Sequence, residues 1–185
     1  MKRFPLILLS ALTLIITTVS CSDDEDTWEK YSDWRVTNET WIQEQSGRTN
    51  ADGTPYFTRL VPAWDTQAYV LIHYFNDRTL TAGNLSPLET STVDVKYAGY
   101  TCDGAMFDSS YALTANGDSI FRTKCTSVIR GWLIALEDMH VGDSCEVVIP
   151  YRQAYNESEY GSIKPYSCLK FNLKLVDIPY YEIKK

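Results

Sequence analysis

Hydrophobic and polar positions follow two different periods along this chain. In TVDVKYAGY (residues 92–100), Val93, Val95 and Tyr97 fall on alternate positions, the period of a strand with one face buried. LKFNLKLVDI (169–178) keeps the same alternation through Leu169, Phe171, Leu173 and Leu175. QAYVLIHYF (67–75) and CEVVIP (145–150) are rich in β-branched and aromatic residues and also read as strands. A helical period occurs at residues 28–45, where Tyr31, Trp34, Trp41 and Ile42 recur and Gly47 is placed to end the helix. A second, shorter helix lies within VIRGWLIALEDMHVG (128–142). It opens on Gly131 and Trp132, and aromatic residues have only middling helix propensity, so this tryptophan is placed as a core plug or as a pocket floor. Turn residues separate these runs at Asn50-Ala51-Asp52-Gly53, Gly83-Asn84, Ser86-Pro87 and Asp103-Gly104, and Pro55 and Pro62 punctuate the stretch between the first helix and the first strand. Several antiparallel strands around one short helix predict the α+β class. A helix and extended segment over 28–65 precede the main domain at 66–179.

The first residues have a different pattern. Met1-Lys2-Arg3 is basic, and residues 6–19 form an almost unbroken apolar run of signal-peptide length, too short for a comfortable membrane span. Thr18-Val19-Ser20 followed by Cys21 resembles a bacterial lipoprotein cleavage site, with Thr18 standing where that pattern usually has leucine. The expectation is a lipoprotein signal peptide over 1–20 and lipidation at Cys21. Each buried acyl methylene contributes roughly 0.8 kcal/mol, so several chains would anchor the protein durably to a membrane. The acidic linker at 21–27, with Ser22-Asp23-Asp24-Glu25-Asp26, is similar to the surface-export signal of some outer-membrane lipoproteins. The expected location is the bacterial cell envelope, as an outer-membrane lipoprotein that reaches the surface. The plainer alternative is an ordinary signal peptide in which Cys21 is incidental.

Composition narrows the function classes. The chain has 185 residues, 44% of them hydrophobic and 22% charged, enough for one globular core with accessories. A formal charge of −7 argues against a nucleic-acid partner, which would want a basic face. A binder of small molecules or peptides fits better. In an oxidising compartment Cys102, Cys125, Cys145 and Cys168 form an even set with three alternative pairings, which the sequence leaves open together with buried free thiols. No CxxC occurs, so zinc and redox chemistry have no support. Four of the five tryptophans precede residue 65, so the N-terminal segment must pack on something, its own chain before a second subunit.

Hydrolytic machinery is missing. There are two histidines, His73 in a strand and His140 at a helix end, and no GxSxG motif, metal-ligand cluster or glycine-rich phosphate loop accompanies them. No cofactor or metal is implied. What remains is a set of aromatic and aliphatic residues in separate segments, each beside a turn.

Four such segments carry a resemblance. VDVKYAGYTCDGAMFDSS (93–110), VIRGWLIALEDMHVGD (128–143), VVIPYRQAYN (147–156) and GSIKPYSCLKFNLKLVDI (161–178) resemble, in order and at nearly the right spacing, the FK506-binding-protein (FKBP) type of peptidyl-prolyl cis-trans isomerase. The resemblance implies a five-stranded antiparallel sheet curled around one short helix, with a pocket between them. It implies that Trp132 floors the pocket, that Gly131 lets the chain bend as the helix starts, and that Leu136 and Met139 face the sheet. By matched position it implies Tyr97, Phe107, Asp108, Ile129, Trp132, Tyr155 and Phe171 as catalytic residues. Val128, Phe121 and Ile163 would complete the substrate site, Ile163 from a flap-like last loop. The implied partners are proline-containing polypeptides, with a macrolide as a ligand of the same pocket; the oligomeric state stays open.

Three departures bear on that reading. Asn156 stands where the family usually has glycine, residues 111–121 lack the arginine that often partners the pocket aspartate, and Ser119 occupies a usual aromatic position unless Ile120 or Phe121 fills it. Each would open or repolarise one side of the pocket. The expected function is prolyl isomerisation that assists folding of envelope or surface proteins. The alternative is a weak or inactive module of the same shape that binds proline-containing peptides or partners. A third role makes the aromatic N-terminal helix a dimerisation or docking element.

Overall fold

The computed structural model describes residues 26–181. The apolar leader, Cys21 and the acidic run up to residue 25 lie outside the described residues. A short helix α1 (Thr27–Lys30) is capped by the Asp26 side chain, which accepts from the Trp28 amide at 3.2 Å. The chain breaks at Tyr31 and continues as α2 (Ser32–Ser46). The single helix expected over 28–45 is therefore two. Gly47 ends α2 with φ −88°, not in the left-handed form that favours glycine.

Seven strands follow: β1 (Thr58–Leu60), β2 (Val70–Tyr74), β3 (Thr92–Thr101), β4 (Met106–Ser109), β5 (Phe121–Lys124), β6 (Ser144–Ile149) and β7 (Leu169–Asp177), with helix α3 (Arg130–Asp138) between β5 and β6. They form one antiparallel sheet in the order β1-β2-β6-β7-β3-β4, with β5 also paired to β3. The expected five strands become seven for two physical reasons. The N-terminal segment adds β1 at one edge, between the two prolines that confine it to three residues. The other edge is divided, because β4 pairs Ala98–Tyr100 while β5 pairs Thr92–Val95, and the excursion between them turns through Gly117 and Ser119, both at positive φ.

Alternation along the strands separates two faces. On the concave face Val93, Val95, Val147, Ile149, Leu173 and Leu175 pack under Ala135 and Leu136 of α3 and under Met139, which follows it, all essentially without exposure. Burying each such side chain stabilises the fold by roughly 1.5–3 kcal/mol. Gly131 serves this packing. It lies within α3, and a Cβ there would come within 2.3 Å of Ile149 Cγ2, so the residue is required by close approach and not by a bend. On the convex face a smaller cluster of Ile42, Phe57, Leu71, Val148, Tyr151, Tyr166 and Cys168 joins α2 and the β1 segment to the sheet. The N-terminal extension thus packs on its own chain. Asn38, fully buried, fastens it: its Oδ1 accepts the Cys168 amide at 2.7 Å and its Nδ2 donates to the Trp34 carbonyl at 2.8 Å.

Cys102, Cys125, Cys145 and Cys168 are all free thiols, three of them buried, and burial pushes Cys125 up to about 11 and Cys168 up to about 12. No helix among the described residues is long and apolar enough to cross a membrane.

Candidate active site

One end of the concave face stays open. Where the first turn of α3 meets β3, β4, β5 and β7, the side chains leave a hollow of about 370 Å³. Trp132 forms its floor at 4% exposure, because α3 begins by laying its first apolar side chain toward the sheet. Edges of other rings surround the indole: Tyr97 at 5.0 Å and 80°, Phe171 at 5.2 Å and 86°, Phe121 at 6.5 Å and 81°. These near-perpendicular packings favour the electropositive ring edge against the π face. The indole Nε1 is buried with no hydrogen-bond partner among the described residues.

The walls come from short-range pairing. The β3–β4 hairpin turns through Gly104 at φ 84°, the left-handed form glycine tolerates, and returns with Phe107 and Asp108 on adjacent positions. Gly99 on β3 has no Cβ because two rings occupy that space. A Cβ there would come within 2.6 Å of Phe171 Cε1 and 2.7 Å of Phe107 Cζ. Tyr97 is held twice. Its amide donates to the buried Ser110 Oγ at 2.9 Å, and its hydroxyl donates to Asp108 Oδ2 at 2.6 Å. Burial, then the bond to Asp108, raises the Tyr97 pKa well above the ordinary phenol value. β5 delivers Phe121 opposite Val95, and the extended segment before α3 delivers Ser127, Val128 and Ile129.

Two polar groups on the rim lack internal partners. The Ile129 carbonyl accepts the Trp132 and Leu133 amides, while its own N–H donates to nothing among the described residues. The Tyr155 hydroxyl is pushed up by burial and by the neighbouring Tyr160 and Asp108, with no hydrogen bond contributing. Its ring stacks on Tyr160 at 4.3 Å and 6°.

Nine of the expected site residues line the hollow: Tyr97, Phe107, Asp108, Phe121, Val128, Ile129, Trp132, Tyr155 and Phe171. Ile163 does not. It is 2% exposed in the main core, and it exchanges backbone hydrogen bonds with Tyr160 at 2.9 and 3.0 Å, so it anchors the loop from beneath. Asn156 also lies off the wall. Its φ of 58° takes the left-handed conformation that glycine would serve, which asparagine adopts with little strain. Ser119 is not part of the lining, its Oγ donating to Asp118 Oδ1 at 3.1 Å, and Phe121 supplies the ring, so neither departure opens the hollow. Ser127 and Tyr160 line it without having been expected. Tyr160 gave one signal, an aromatic next to Gly161 in a turn, but the stack on Tyr155 exists only in the folded loop. No cluster of metal-ligating side chains occurs among the described residues. The arrangement offers an apolar, ring-lined space with a tethered carboxylate, one free N–H and one free hydroxyl at its mouth.

Comparison with known proteins matches residues 83–176 to the family described as FKBP-type peptidyl-prolyl cis-trans isomerase. The FKBP-type 22 kDa peptidyl-prolyl cis-trans isomerase of Escherichia coli is 41% identical over 93 residues, 50% of this chain and 43% of that protein. The chain thus spans less than half the length of this curated relative. A peptidyl-prolyl cis-trans isomerase from Pseudomonas syringae superposes with a TM-score of 0.58 at 25% identity, over 77% of this chain and 92% of that one. Escherichia coli FkpA gives 0.62 at 22% identity, over 80% and 62%, a likeness of fold.

Proposed function

The chain belongs to the FKBP-type peptidyl-prolyl cis-trans isomerase family, and from that premise we propose that its ring-lined hollow catalyses cis-trans exchange of X–Pro bonds in exported proteins. The observation that carries this reading is the open space above Trp132, walled by Tyr97, Phe107, Phe121 and Phe171.

The reaction breaks no covalent bond. Its barrier of about 18–20 kcal/mol is the amide resonance lost in the twisted state, and uncatalysed exchange takes tens of seconds or longer. A catalyst needs only to hold the twisted amide better than either planar form. A planar amide is strongly polar, and a twisted one has less charge separation, so an apolar space disfavours the first more than the second. The proline ring rests on Trp132 against Phe171, and the rotating carbonyl turns between Tyr97 and Phe107. The Ile129 N–H and the Tyr155 hydroxyl hold the flanking backbone. Asp108 keeps Tyr97 in place through its hydrogen bond. A macrolide ligand would occupy the same space.

The anchor belongs to the same proposal and rests on the pattern of residues 1–26. Lipidated at Cys21, the protein works at the outer membrane of a bacterial envelope, on envelope or surface clients. Radiolabelled palmitate should enter the wild-type chain and not Cys21→Ser; equal labelling rejects the anchor.

For the activity, the test pairs Phe107→Ala with Trp132→Ala in exchange of short X–Pro peptides and in proline-limited refolding. We expect a fall of about tenfold or more in catalysed rate, equivalent to about 1.4 kcal/mol of transition-state stabilisation. Peptide binding without exchange in the wild-type protein would instead make the domain a binding module.

A further inference from the structure

We propose that the N-terminal extension supplies a second substrate pocket, in which Trp34 and Met106 receive an apolar side chain of the client polypeptide a few residues from the proline; this rests on the isomerase reading above. Beside the main hollow lies a smaller one of about 140 Å³, lined by Trp34, Thr101, Asp103, Ala105, Met106, Phe107, Ser162 and Lys164. Phe107 lines both. A chain leaving the proline site across that ring therefore enters the second space without a break, after about two or three extended residues at roughly 3.3 Å each.

The lining sets the chemistry of the occupant. Met106 is 61% exposed, a large apolar side chain at the tip of a hairpin with nothing covering it. Its flexible thioether suits varied apolar partners. Trp34 offers half-buried indole held from behind: Nε1 donates to Ser167 Oγ at 3.0 Å, and Ser167 Oγ donates to the Lys164 carbonyl at 2.7 Å. The Lys164 ammonium lies 4.7 Å from the Trp34 ring centre. Asp103 and Lys164 add one charge of each sign at the margin, which favours neither an acidic nor a basic side chain. The fitting ligand is an unfolded segment with a single apolar residue near its proline.

Trp34 sits outside the region matched to the family, on α2. Its position is fixed by Asn38, which ties α2 to the entry of β7 at Cys168, and by its own bond to Ser167. The extension is thus part of the substrate surface as well as a cover for the sheet.

The experiment compares substrates of two lengths on the full chain. A tetrapeptide with a central X–Pro reports the main hollow alone. A proline-limited unfolded protein, and a peptide of about twelve residues with one leucine flanking its proline, span both spaces. Trp34→Ala and Met106→Ser should leave tetrapeptide kcat/KM at the wild-type value. Each should raise KM for the unfolded protein, and Kd for the long peptide, by about fivefold, as loss of an interface contact does. Trp34→Phe, which keeps the aromatic face and loses only the bond to Ser167, should recover most of the affinity. Unchanged KM and Kd for the long substrates would overturn the proposal, as would a parallel loss on the tetrapeptide. If the wild-type protein turned over no tetrapeptide but the long peptide still bound more weakly to Trp34→Ala and Met106→Ser, the second pocket would stand and the isomerase reading would fall.

Discussion

The two faces of the sheet use aromatic residues in opposite ways. On the concave face, Tyr97, Phe107, Phe121, Trp132 and Phe171 meet edge to face and leave open space between them. On the convex face and at the two ends of the extension, three rings are instead covered by guanidinium groups. Arg35 lies 3.1 Å from the Trp28 ring centre, Arg48 4.0 Å from Tyr56 and Arg59 3.7 Å from Tyr69. A ring capped by guanidinium is a finished surface, stabilised by cation–π attraction and not available to a ligand. A ring whose neighbours are other ring edges still has an empty face. The difference lies in what covers the rings, not in how many there are.

The largest test of this contrast is Trp132→Ala against Phe57→Ala. Both side chains are buried, at 4% and 6% exposure. Trp132→Ala should cost about 3–5 kcal/mol of unfolding free energy and abolish prolyl exchange. Phe57→Ala belongs to the small cluster and should cost stability while leaving kcat/KM on tetrapeptides unchanged. Chemical denaturation and the peptide assay on both variants decide it; loss of activity in Phe57→Ala would mean that the faces are not independent.

Next in size is Gly131→Ala, which sets a Cβ against Ile149 in the tightest packing of the concave face. Overpacking of this kind costs about 1–3 kcal/mol, and each kcal/mol lowers Tm by about 2–4 °C in a domain of this size. Asn38→Ala probes the other face. It leaves the buried Cys168 amide without an acceptor, at a cost of about 1–3 kcal/mol. Hydrogen exchange should accelerate at Cys168 and across α2 while α3 stays protected; uniform acceleration would merge the two faces into one cooperative unit.

That contrast also explains what could be read in the sequence. Long strands with strict alternation, β3 and β7, were legible to within a residue or two, because one buried face imposes period two. The helix around Trp132 was legible too, and the family resemblance gave the hollow most of its walls. β1 and β5 were not. They are edge segments of three and four residues, too short to show a period, and pairing with a neighbour creates them. The break at Tyr31 left no pattern, since apolar spacing continues across it. By analogy Gly131 was assigned to a bend and Ile163 to a flap-like loop of the substrate site, whereas a contact with Ile149 and burial in the main core determine them. Such reasons are tertiary, and a linear string does not contain them.

Smaller still is Asn156→Gly. At φ 58° glycine pays no side-chain strain in the folded chain but loses more backbone entropy on folding. The two offset, so stability should move by less than about 0.5 kcal/mol, and tetrapeptide kcat/KM should not change. A marked gain in activity would show that Asn156 does restrict the hollow, against its position off the wall.

The smallest expected effect is none at all, and it tests the chemistry most directly. If exchange moves no proton, the catalysed rate should not follow pH between about 6 and 9, where neither a carboxylate nor an ordinary phenol changes charge. Tyr97 and Tyr155 both have pKa values raised by burial, so their hydroxyls stay protonated even further into base than a free tyrosine. The groups that ordinarily titrate near neutrality are the histidines, and both lie elsewhere. His73 stacks on Tyr56 at 3.9 Å on the convex face, and His140 sits against Arg78 and Asp143 beyond the far end of α3. Tetrapeptide exchange measured across that range, with the uncatalysed rate subtracted, should be flat. A rate that changes with pH across that range would mean that a titrating group outside the hollow couples to Trp132, and the separation between the open and the covered parts of this molecule would have to be redrawn.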